Sequence, residues 1–444
     1  MSTDGLADGG DSAPTAPGRP TRRSVVDIMW SLIGGGSSGL GLLAYNAIAA
    51  RTLGIDRFGE FSFAIIIGTL IALLSMGGID LASARRAARQ GADQRTDDVA
   101  VWTMLSVALA LATVVGLAVA LGAPALAGVI GIEAGTVRWV ALLGAAAGMR
   151  GVFERTISGL RLYHAQAAVR AIEAVTMVSG AAVLAAREAA GEQGFIAVFV
   201  AAVLLANACY AVAILRRRGT PAFSREEARA TFDFARHAFV MTAVAYFLMY
   251  ADKVLVRAEA SDRELGLYVA YHAGSVMVAA QLANIMQNIL LPAATRSADP
   301  RALARRVFRM ATLGLVPALG LSMLGLAVIL ATYGPAFEFR LVTALVFAAW
   351  AIVYASNVLF ASMTISAGPG AMRDEARFAL VRSVLLTVCF VLLSALDMVS
   401  IEAVACTMLL VELCESLNLW RLVRHWLPDR PVEVGYVLGD AMGR

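Results

Sequence analysis

The stretch Ala49–Arg89 reads "AARTLGIDRFGEFSFAIIIGTLIALLSMGGIDLASARRAAR". It begins with a short charged turn around Asp56 and Arg57, continues as an apolar run and ends in a cluster of arginines. The run is predicted to be a helix over 60–84, and about 20 apolar residues suffice to cross about 30 Å of hydrocarbon. The order of turn, apolar run and basic segment recurs along the chain, so this stretch predicts a helical membrane protein.

The composition of the whole chain agrees with that prediction. Of the 444 residues, 59% are hydrophobic and only 16% are charged, whereas roughly 25% of residues are charged in a soluble protein. Lipid is therefore the expected solvent for most of the chain. The arginines lie in short clusters between apolar runs, which indicates membrane topology and excludes a nucleic-acid partner. The four cysteines lie inside apolar runs without metal-ligand spacing, so we expect neither a metal nor a cofactor.

Runs of this length predict an all-α integral membrane protein with about 12 transmembrane helices. The predicted spans are 25–50, 60–84, 99–122, 137–158, 164–186, 194–215, 232–256, 265–292, 307–331, 341–365, 378–396 and 400–421.

The distribution of the basic residues predicts the orientation. Most of the 37 Lys+Arg residues fall in the two terminal segments and in every second connection between spans. Cytoplasmic loops carry such an excess of Lys and Arg. We therefore expect a multi-pass protein of the cell inner (plasma) membrane with both termini in the cytoplasm.

The spans also repeat. "AYNAIAARTLGIDRFGEFSFAIIIG" in the first half of the chain and "FLMYADKVLVRAEASDRELGLYVAYHAG" in the second half share an Asp-Arg turn. In both, a glycine and then an aromatic residue follow, Gly59 with Phe61 and Gly266 with Tyr268. This repeat predicts two six-helix halves in parallel orientation.

Five segments of the chain are expected. The N-terminal residues are rich in Gly, Asp, Ser, Thr and Pro, a composition typical of disorder. The segments are a disordered cytoplasmic tail (1–23), an N-terminal six-helix bundle (24–216), a basic cytoplasmic linker (217–231), a C-terminal six-helix bundle (232–422) and a second cytoplasmic tail (423–444).

The two repeated segments carry a family resemblance. Ala49–Arg89 resembles the start of Wzx-type polysaccharide flippases, in which an "ARxLG…FGxYS" turn precedes the second helix. "ADKVLV…ASDRELGLYVAYHAG" resembles the second-half segment of that family, with an aspartate near the end of helix seven before a "GxY" turn. The sequence departs from the family pattern at Phe61, where a tyrosine is usual.

The resemblance implies a fold and a role. The fold is two six-helix bundles around a central cavity, in the superfamily that includes multidrug antiporters. The role is transport of a polyprenyl-pyrophosphate-linked oligosaccharide from the inner to the outer leaflet, in contact with membrane lipid. Glycan polymerases or glycosyltransferases are the partner proteins that such a role implies.

Charged residues inside the spans are the candidate site residues, because each costs about 2.5–3.5 kcal/mol at the bilayer centre on insertion scales. Arg150, Arg170 and Arg382 are candidates for a phosphate-facing lining, since the guanidinium fork suits phosphate. An alternative is that Arg150 pairs with Glu154 and Arg170 with Glu173, each pair on one helix face. Arg382 could instead extend to the inner surface.

Acidic residues are the candidates for coupling to an ion gradient, or for lining the cavity. Asp252, which matches the family aspartate, Glu173 and Asp27 are predicted to have this role. Asp252 precedes Lys253, the single lysine of the chain. Lys253 is a candidate for the substrate-binding lining, and the alternative is a surface anchor near the outer interface.

Two other functions remain to be weighed. A cation-coupled multidrug exporter of the same fold is the alternative transporter, but its site would favour acidic and aromatic residues over arginines. A membrane enzyme needs an outer catalytic segment. The longest predicted outer loop, Leu121–Thr136, offers a single acid, Glu133, and no histidine, so we expect no enzyme.

Overall fold

The computed structural model describes residues 22–80, 83, 94–187, 191–283, 286, 300–366 and 369–426. These residues form helices and no strand, as predicted. The helices are α1 (22–53), α2 (55–76), α3 (Gln94–Leu121), α4 (Ala123–Ile130), α5 (Ala134–Gly159), α6 (Tyr163–Ala186), α7 (Glu192–Arg218), α8 (Arg225–Glu259), α9 (Asp262–Ala283), α10 (Pro300–Tyr333), α11 (Leu341–Ser366), α12 (Pro369–Ala395) and α13 (Ile401–Trp426).

The chain reverses at Gly54, between α1 and α2. Gly54 has φ 76° and ψ 169°, a backbone conformation that favours glycine. The rings of Tyr45 and Phe61 lie 6.1 Å apart, although a continuous helix would separate these residues by about 24 Å. The sequence predicted a longer turn, with helices 25–50 and 60–84. In the structure, the helix resumes at Ile55 because Gly54 alone reverses the chain.

The connections differ from the prediction at two further places. The loop predicted over Leu121–Thr136 contains α4, which meets α5 at a bend of 106°. The predicted linker 217–231 is non-helical only over 219–224, because the Ser224 hydroxyl caps the first turn of α8 by accepting from the amide of Glu227. The predicted tails 1–23 and 423–444 lie outside the described residues, except for the helical residues at their inner ends.

The helices have the length and surface of membrane spans. In the described part of the chain, nine helices are long and apolar enough to cross a membrane, and the bent pair α4 and α5 makes a tenth. One of the nine is the segment that Gly54 divides into α1 and α2, so the prediction of about 12 helices is consistent with the structure. The faces of α10 and α12 expose large apolar side chains, such as Leu313, Val316, Val384 and Val391. The chain is a multi-pass membrane protein.

The helices form two halves, α1–α7 and α8–α13, and the largest core that they share lies at one end. We call this end, which contains Gly54, the Gly54 end, and the opposite end, which contains 219–224, the linker end. At the Gly54 end one core joins both halves and includes Tyr45, Phe61, Tyr268 and Phe347. Toward the linker end, the described buried residues form two separate cores. One belongs to the first half and the start of α8, and the other to the second half.

The repeated glycines meet where the halves join. A Cβ atom on Gly59 would lie 3.1 Å from the amide nitrogen of Gly266 and would overlap the carbonyl oxygen of Asp262. A Cβ atom on Gly266 would lie 3.3 Å from the amide nitrogen of Gly59 and would overlap the carbonyl oxygen of Ile55. The beginnings of α2 and α9 are therefore in backbone contact, which only glycine permits at these two positions.

Side chains reinforce the same junction. The Nε atom of Arg51 in the first half donates to the carbonyl oxygen of Thr332 in the second half (2.5 Å). The ring of Phe58 packs edge-on against the rings of Tyr333 and Phe337, with centroids 5.6 and 5.7 Å apart. The Gly54 end is therefore closed by backbone packing, a hydrogen bond and an aromatic cluster.

Candidate functional site

A charged network joins α5, α6 and α7 in the first half. The guanidinium of Arg170 donates two hydrogen bonds to the carboxylate of Glu154, each 3.1 Å long. Arg150 donates a hydrogen bond to Glu173 and lies 3.9 Å from Glu154. The hydroxyl of Tyr210 also donates to Glu154 (3.3 Å). Two cations and two anions are thus held together, and the network has no net charge.

The partners in this network differ from those predicted along single helices. The main ion pairs cross from α5 to α6, Arg150 with Glu173 and Arg170 with Glu154, because these two helices pack side by side. The arginine side chains are 28% and 25% exposed, whereas that of Glu173 is 3% exposed. The cations are therefore the accessible members of the network, and an anion approaching it would meet the guanidinium groups first.

The Asp252–Lys253 pair lies near the end of α8, in the core at the Gly54 end. The side chain of Asp252 is 0% exposed and that of Lys253 is 3% exposed. The Lys253 ammonium donates to both carboxylate oxygens of Asp252 (3.0 and 2.9 Å) and to the carbonyl oxygen of Met249 (2.8 Å). The Tyr268 hydroxyl completes the site by donating to Asp252 (2.6 Å). All three donors of the ammonium therefore have acceptors.

This geometry differs from that of a surface anchor. The bond to Met249, one turn back along α8, directs the ammonium toward the interior and away from the helix end. The ammonium also lies 5.6 Å from the centroid of the Tyr250 ring, within the range of a cation–π interaction. A desolvated ion pair needs such complete satisfaction by hydrogen bonds. The pair therefore links α8 to α9 through Tyr268.

The repeat places aromatic residues at the corresponding site of the first half. Tyr45 corresponds to Asp252 and Phe61 corresponds to Tyr268, because each pair is separated by the same number of residues as Gly59 and Gly266. Phe61 is buried among the rings of Tyr45, Phe58 and Phe195. Phe61, which replaces the family tyrosine, therefore lies in an aromatic core. In the second half the corresponding residue, Tyr268, has a hydroxyl that binds Asp252.

Arg382 belongs to a third cluster, between α11, α12 and α13. Its guanidinium lies 3.7 Å from Glu412 and 3.6 Å from Glu415. The amide of Asn357 donates to the carboxylate of Glu412 (2.7 Å), and the oxygen of Asn357 accepts from Ser416 (2.7 Å). Asn357 corresponds to Arg150, because these two residues are separated by the same number of residues as Gly59 and Gly266. The network around Glu154 and the cluster around Arg382 therefore include corresponding helices of the two halves, α5 and α11.

The predicted site residues thus fall into separate groups. Arg150, Arg170 and Glu173 meet in the first half, Asp252 meets Lys253, and Arg382 lies in the third cluster. Asp27 belongs to α1, and its side chain lies outside the described part of the structure. Among the described residues, no group of three or more His, Cys, Asp or Glu residues could hold a metal ion.

The sequence analysis gave no role to several members of these clusters. They are Tyr210, Tyr268, Asn357, Glu412 and Glu415. The repeat contained the signal for two of them, because Asn357 corresponds to Arg150, and Tyr268 carries a hydroxyl where Phe61 does not. Nothing in the spacing singled out Tyr210, whose role depends on the packing of α7 against α5.

An apolar groove lies between the halves. It has a volume of about 630 Å³ and is lined by Leu70 of α2 and by residues of α8 and α12, including Tyr250, Val254 and Phe390. The lining is almost wholly apolar, which suits a hydrocarbon chain more than a sugar.

Residues 48–339 match the family described as polysaccharide biosynthesis protein. The chain belongs to this family. The matched segment begins in α1 and ends before α11, so it includes the network around Glu154 and the Asp252–Lys253 pair. The family expected from the sequence is therefore confirmed. No curated protein matches the chain closely enough to count as a relative.

Solved structures give the fold of this family member. One similar structure is a MOP superfamily transporter from Pyrococcus furiosus Vc1, described as having a binding pocket of reverse polarity that suggests a different function (TM-score 0.63, 11% identity, covering 92% of this chain and 96% of that one). Another is a multidrug resistance MATE family transporter of the MOP superfamily in an outward-facing conformation (TM-score 0.61, 13% identity, with the same coverage). A MATE structure in complex with MaD5 is equally similar (TM-score 0.63, 13% identity, with the same coverage). The chain therefore has the fold of MOP superfamily transporters.

Proposed function

We propose that this polysaccharide biosynthesis family member moves a polyprenyl-pyrophosphate-linked oligosaccharide from the inner to the outer leaflet of the plasma membrane by alternating access. The observation that carries the proposal is the family match over residues 48–339, on a chain with a transporter fold. Transport without chemical conversion of the cargo is in keeping with this family and fold.

The proposal assigns a direction to each end of the molecule. The distribution of arginines supports a cytoplasmic linker end and an outer Gly54 end. The shared core and the Gly59–Gly266 contact close the Gly54 end, whereas the described cores toward the linker end are separate. In this arrangement the cargo enters from the cytoplasmic side, and the halves must part at the Gly54 end to release it.

The described residues offer a place for two chemically different parts of the cargo. Arg150 and Arg170 are the accessible members of their network, and a pyrophosphate can compete with Glu173 and Glu154 for their guanidinium groups. The apolar groove beside Leu70 suits the polyprenyl tail.

The roles of the other candidate site residues remain predictions. A substrate-binding role for Arg382 and Lys253 requires each to leave the carboxylates that it contacts. A coupling role for Asp252, Glu173 or Asp27 also stays a prediction. The same holds for association with glycan polymerases or glycosyltransferases and for the boundaries of the two six-helix bundles.

A cation-coupled multidrug exporter is the second candidate. One observation favours it, namely the pair Glu412 and Glu415, which faces a single arginine and could attract an organic cation. The match to a polysaccharide family favours the lipid-linked cargo over this alternative.

The deciding experiment is lipid extraction from cells depleted of the protein, with mass analysis of the polyprenyl-pyrophosphate glycans. The proposal predicts that a complete repeat unit accumulates on its carrier, that surface polysaccharide is lost, and that expression of the wild-type protein restores both. Unchanged glycans together with new sensitivity to cationic dyes would establish the exporter instead.

A further inference from the structure

The cluster around Arg382 differs from the other two charged clusters in its charge balance. The network of Arg150, Arg170, Glu154 and Glu173 has as many cations as anions, and so does the Asp252–Lys253 pair. Arg382 is a single cation between two carboxylates, Glu412 and Glu415. One negative charge of this cluster is therefore uncompensated by the described side chains that contact it.

The two carboxylates are held unequally. Glu412 accepts a hydrogen bond from the amide of Asn357 (2.7 Å), and Ser416 fixes that amide by donating to its oxygen. Glu415 is only 5% exposed, and its Oε2 atom accepts no hydrogen bond from the described residues. The contacts of Arg382 with both carboxylates are longer than hydrogen bonds. Of the two carboxylates, Glu415 is therefore the one whose charge is less well satisfied.

The described side chains of the neighbouring helices do not supply the missing positive charge. The titratable groups that interact with the two carboxylates are Arg382 and Glu375 of α12 and Tyr354 of α11. Glu375 adds a further acid, and Tyr354 is neutral when protonated. In the described residues of α8 and α10, which also pack against α13, no charged side chain is paired with Glu412 or Glu415.

The position of the cluster suits a charge that moves within the membrane. Glu412 and Glu415 lie about 17 and 21 Å along α13 from its beginning, close to the middle of the helix. A carboxylate that is buried at this depth without a partner is unfavourable by several kcal/mol, and binding one proton removes that charge. A proton that reaches this depth also crosses a substantial part of the membrane potential.

We propose that Glu415, with Glu412 beside it, is a proton-binding site of this transporter. The carboxyl group of Glu415 holds the proton while Arg382 stays paired with Glu412. Loss of that proton leaves two carboxylates competing for one guanidinium, which favours a rearrangement of α11, α12 and α13. The link from protonation to transport rests on the proposed function, whereas the proton site itself does not.

The site can be tested on the purified protein without any cargo, by infrared spectroscopy of carboxyl groups in lipid nanodiscs over a pH series. The wild-type protein should show a protonated carboxyl band at neutral pH, and Glu415→Gln should lack it. Glu338→Gln, which removes an exposed carboxylate at the Gly54 end, is the matched control and should retain it. Absence of the band from the wild-type protein, or its survival in Glu415→Gln, would overturn the proposal.

A second measurement separates a proton site from a structural ion pair. Glu415→Gln imitates the protonated group and should leave the Tm at pH 7 unchanged, whereas Glu173→Gln removes an anion from a balanced network and should lower it. A similar fall of the Tm for both variants would contradict the proposal. Displacement of the protonated band by Na⁺ but not by choline would also contradict it, in favour of a sodium site.

The transport link has its own test. In vesicles that carry the cargo, an imposed pH gradient should stimulate movement by the wild-type protein but not by Glu415→Gln. If the infrared result holds but lipid-linked glycans are unchanged in depleted cells, the proton site stands and the proposed cargo fails. If the glycans accumulate but the carboxyl band is absent, the cargo stands and the proton site fails.

Discussion

Gly59 of α2 and Gly266 of α9 face each other across the junction of the two halves, so close that neither position has room for a Cβ atom. They are the equivalent glycines of the sequence repeat. Because they lie at the Gly54 end, their contact holds that end closed, and it must break whenever the halves separate there.

The first prediction concerns this contact. In Gly59→Ala or Gly266→Ala, the added methyl group overlaps a backbone carbonyl oxygen, so α2 and α9 must separate by about 1 Å or more. We expect the open state of the Gly54 end to gain population. Spin labels at Asp56 and Ala336, in a variant without the native cysteines, would report this as longer distances.

Gly128→Ala is the matched control, because a Cβ atom at Gly128 meets nothing within 4 Å. It should leave the distance distribution as in the wild-type protein. Identical distributions in Gly59→Ala and in the control would refute a role for the glycine contact in closure.

The second prediction concerns the network around Glu154. Arg170→Gln removes two hydrogen bonds from a half-buried carboxylate, and we expect a loss of about 2 kcal/mol in the free energy of unfolding. The double variant Arg170→Gln with Glu154→Gln should lose less than the sum of the single changes, because no charge is then left alone. Thermal unfolding of the four proteins in detergent measures the coupling, and strictly additive losses would disprove it.

The third prediction concerns the buried pair of α8. Lys253→Met leaves the Asp252 carboxylate without its cation at a site with no exposure, so about 3–5 kcal/mol of stability should be lost. Asp252→Asn together with Lys253→Met should restore most of that loss. Lys253→Arg should not substitute, because three acceptors around one nitrogen atom suit an ammonium and not a planar guanidinium. Unfolding curves of these variants give the order of their stabilities.

The fourth prediction concerns the hydroxyl of Tyr268. Tyr268→Phe removes a 2.6 Å hydrogen bond to a buried carboxylate and should cost about 1.5–3 kcal/mol. Tyr271→Phe removes a hydroxyl whose partners are two neutral backbone groups, the carbonyl of Glu338 and the amide of Arg340, and its effect should be smaller, about 1 kcal/mol. The opposite order would show that Asp252 does not depend on Tyr268.

The fifth prediction concerns orientation. A single cysteine at Ala336, at the Gly54 end, should react with a membrane-impermeant maleimide added to intact cells. A single cysteine at Thr220, at the linker end, should react only after the membrane is opened. The reverse labelling would place the Gly54 end in the cytoplasm, contrary to the arginine distribution.

The sequence predicted the helices well because their apolar runs are long and separated by arginines. It also predicted the repeat that leads to Gly59 and Gly266, since a glycine and an aromatic residue recur after an Asp-Arg turn. Between the first two helices the sequence predicted a longer turn than the single residue, Gly54, that the structure has there. A single glycine with positive φ can reverse the chain, and the residues after it then start the next helix.

The charged clusters were predicted only in part. Arg150 and Glu154 have the spacing of an ion pair on one helix, and the structure holds them 3.9 Å apart. The hydrogen-bonded pairs, however, cross between α5 and α6, and Arg170 pairs with Glu154 instead of Glu173. Spacing along the chain does not give the rotation of one helix against its neighbour, which decides such choices. The inward direction of the Lys253 side chain likewise depends on Tyr268 and on the core that surrounds the Asp252–Lys253 pair, which spacing does not predict.

The meeting of two equivalent glycines also locates a pseudo-two-fold axis between the halves. In a homodimer with a two-fold axis, each residue on the axis contacts its own copy. At this point the two halves are arranged like the subunits of such a dimer. Elsewhere the symmetry is broken, because Tyr45 stands in place of Asp252 and Arg150 in place of Asn357.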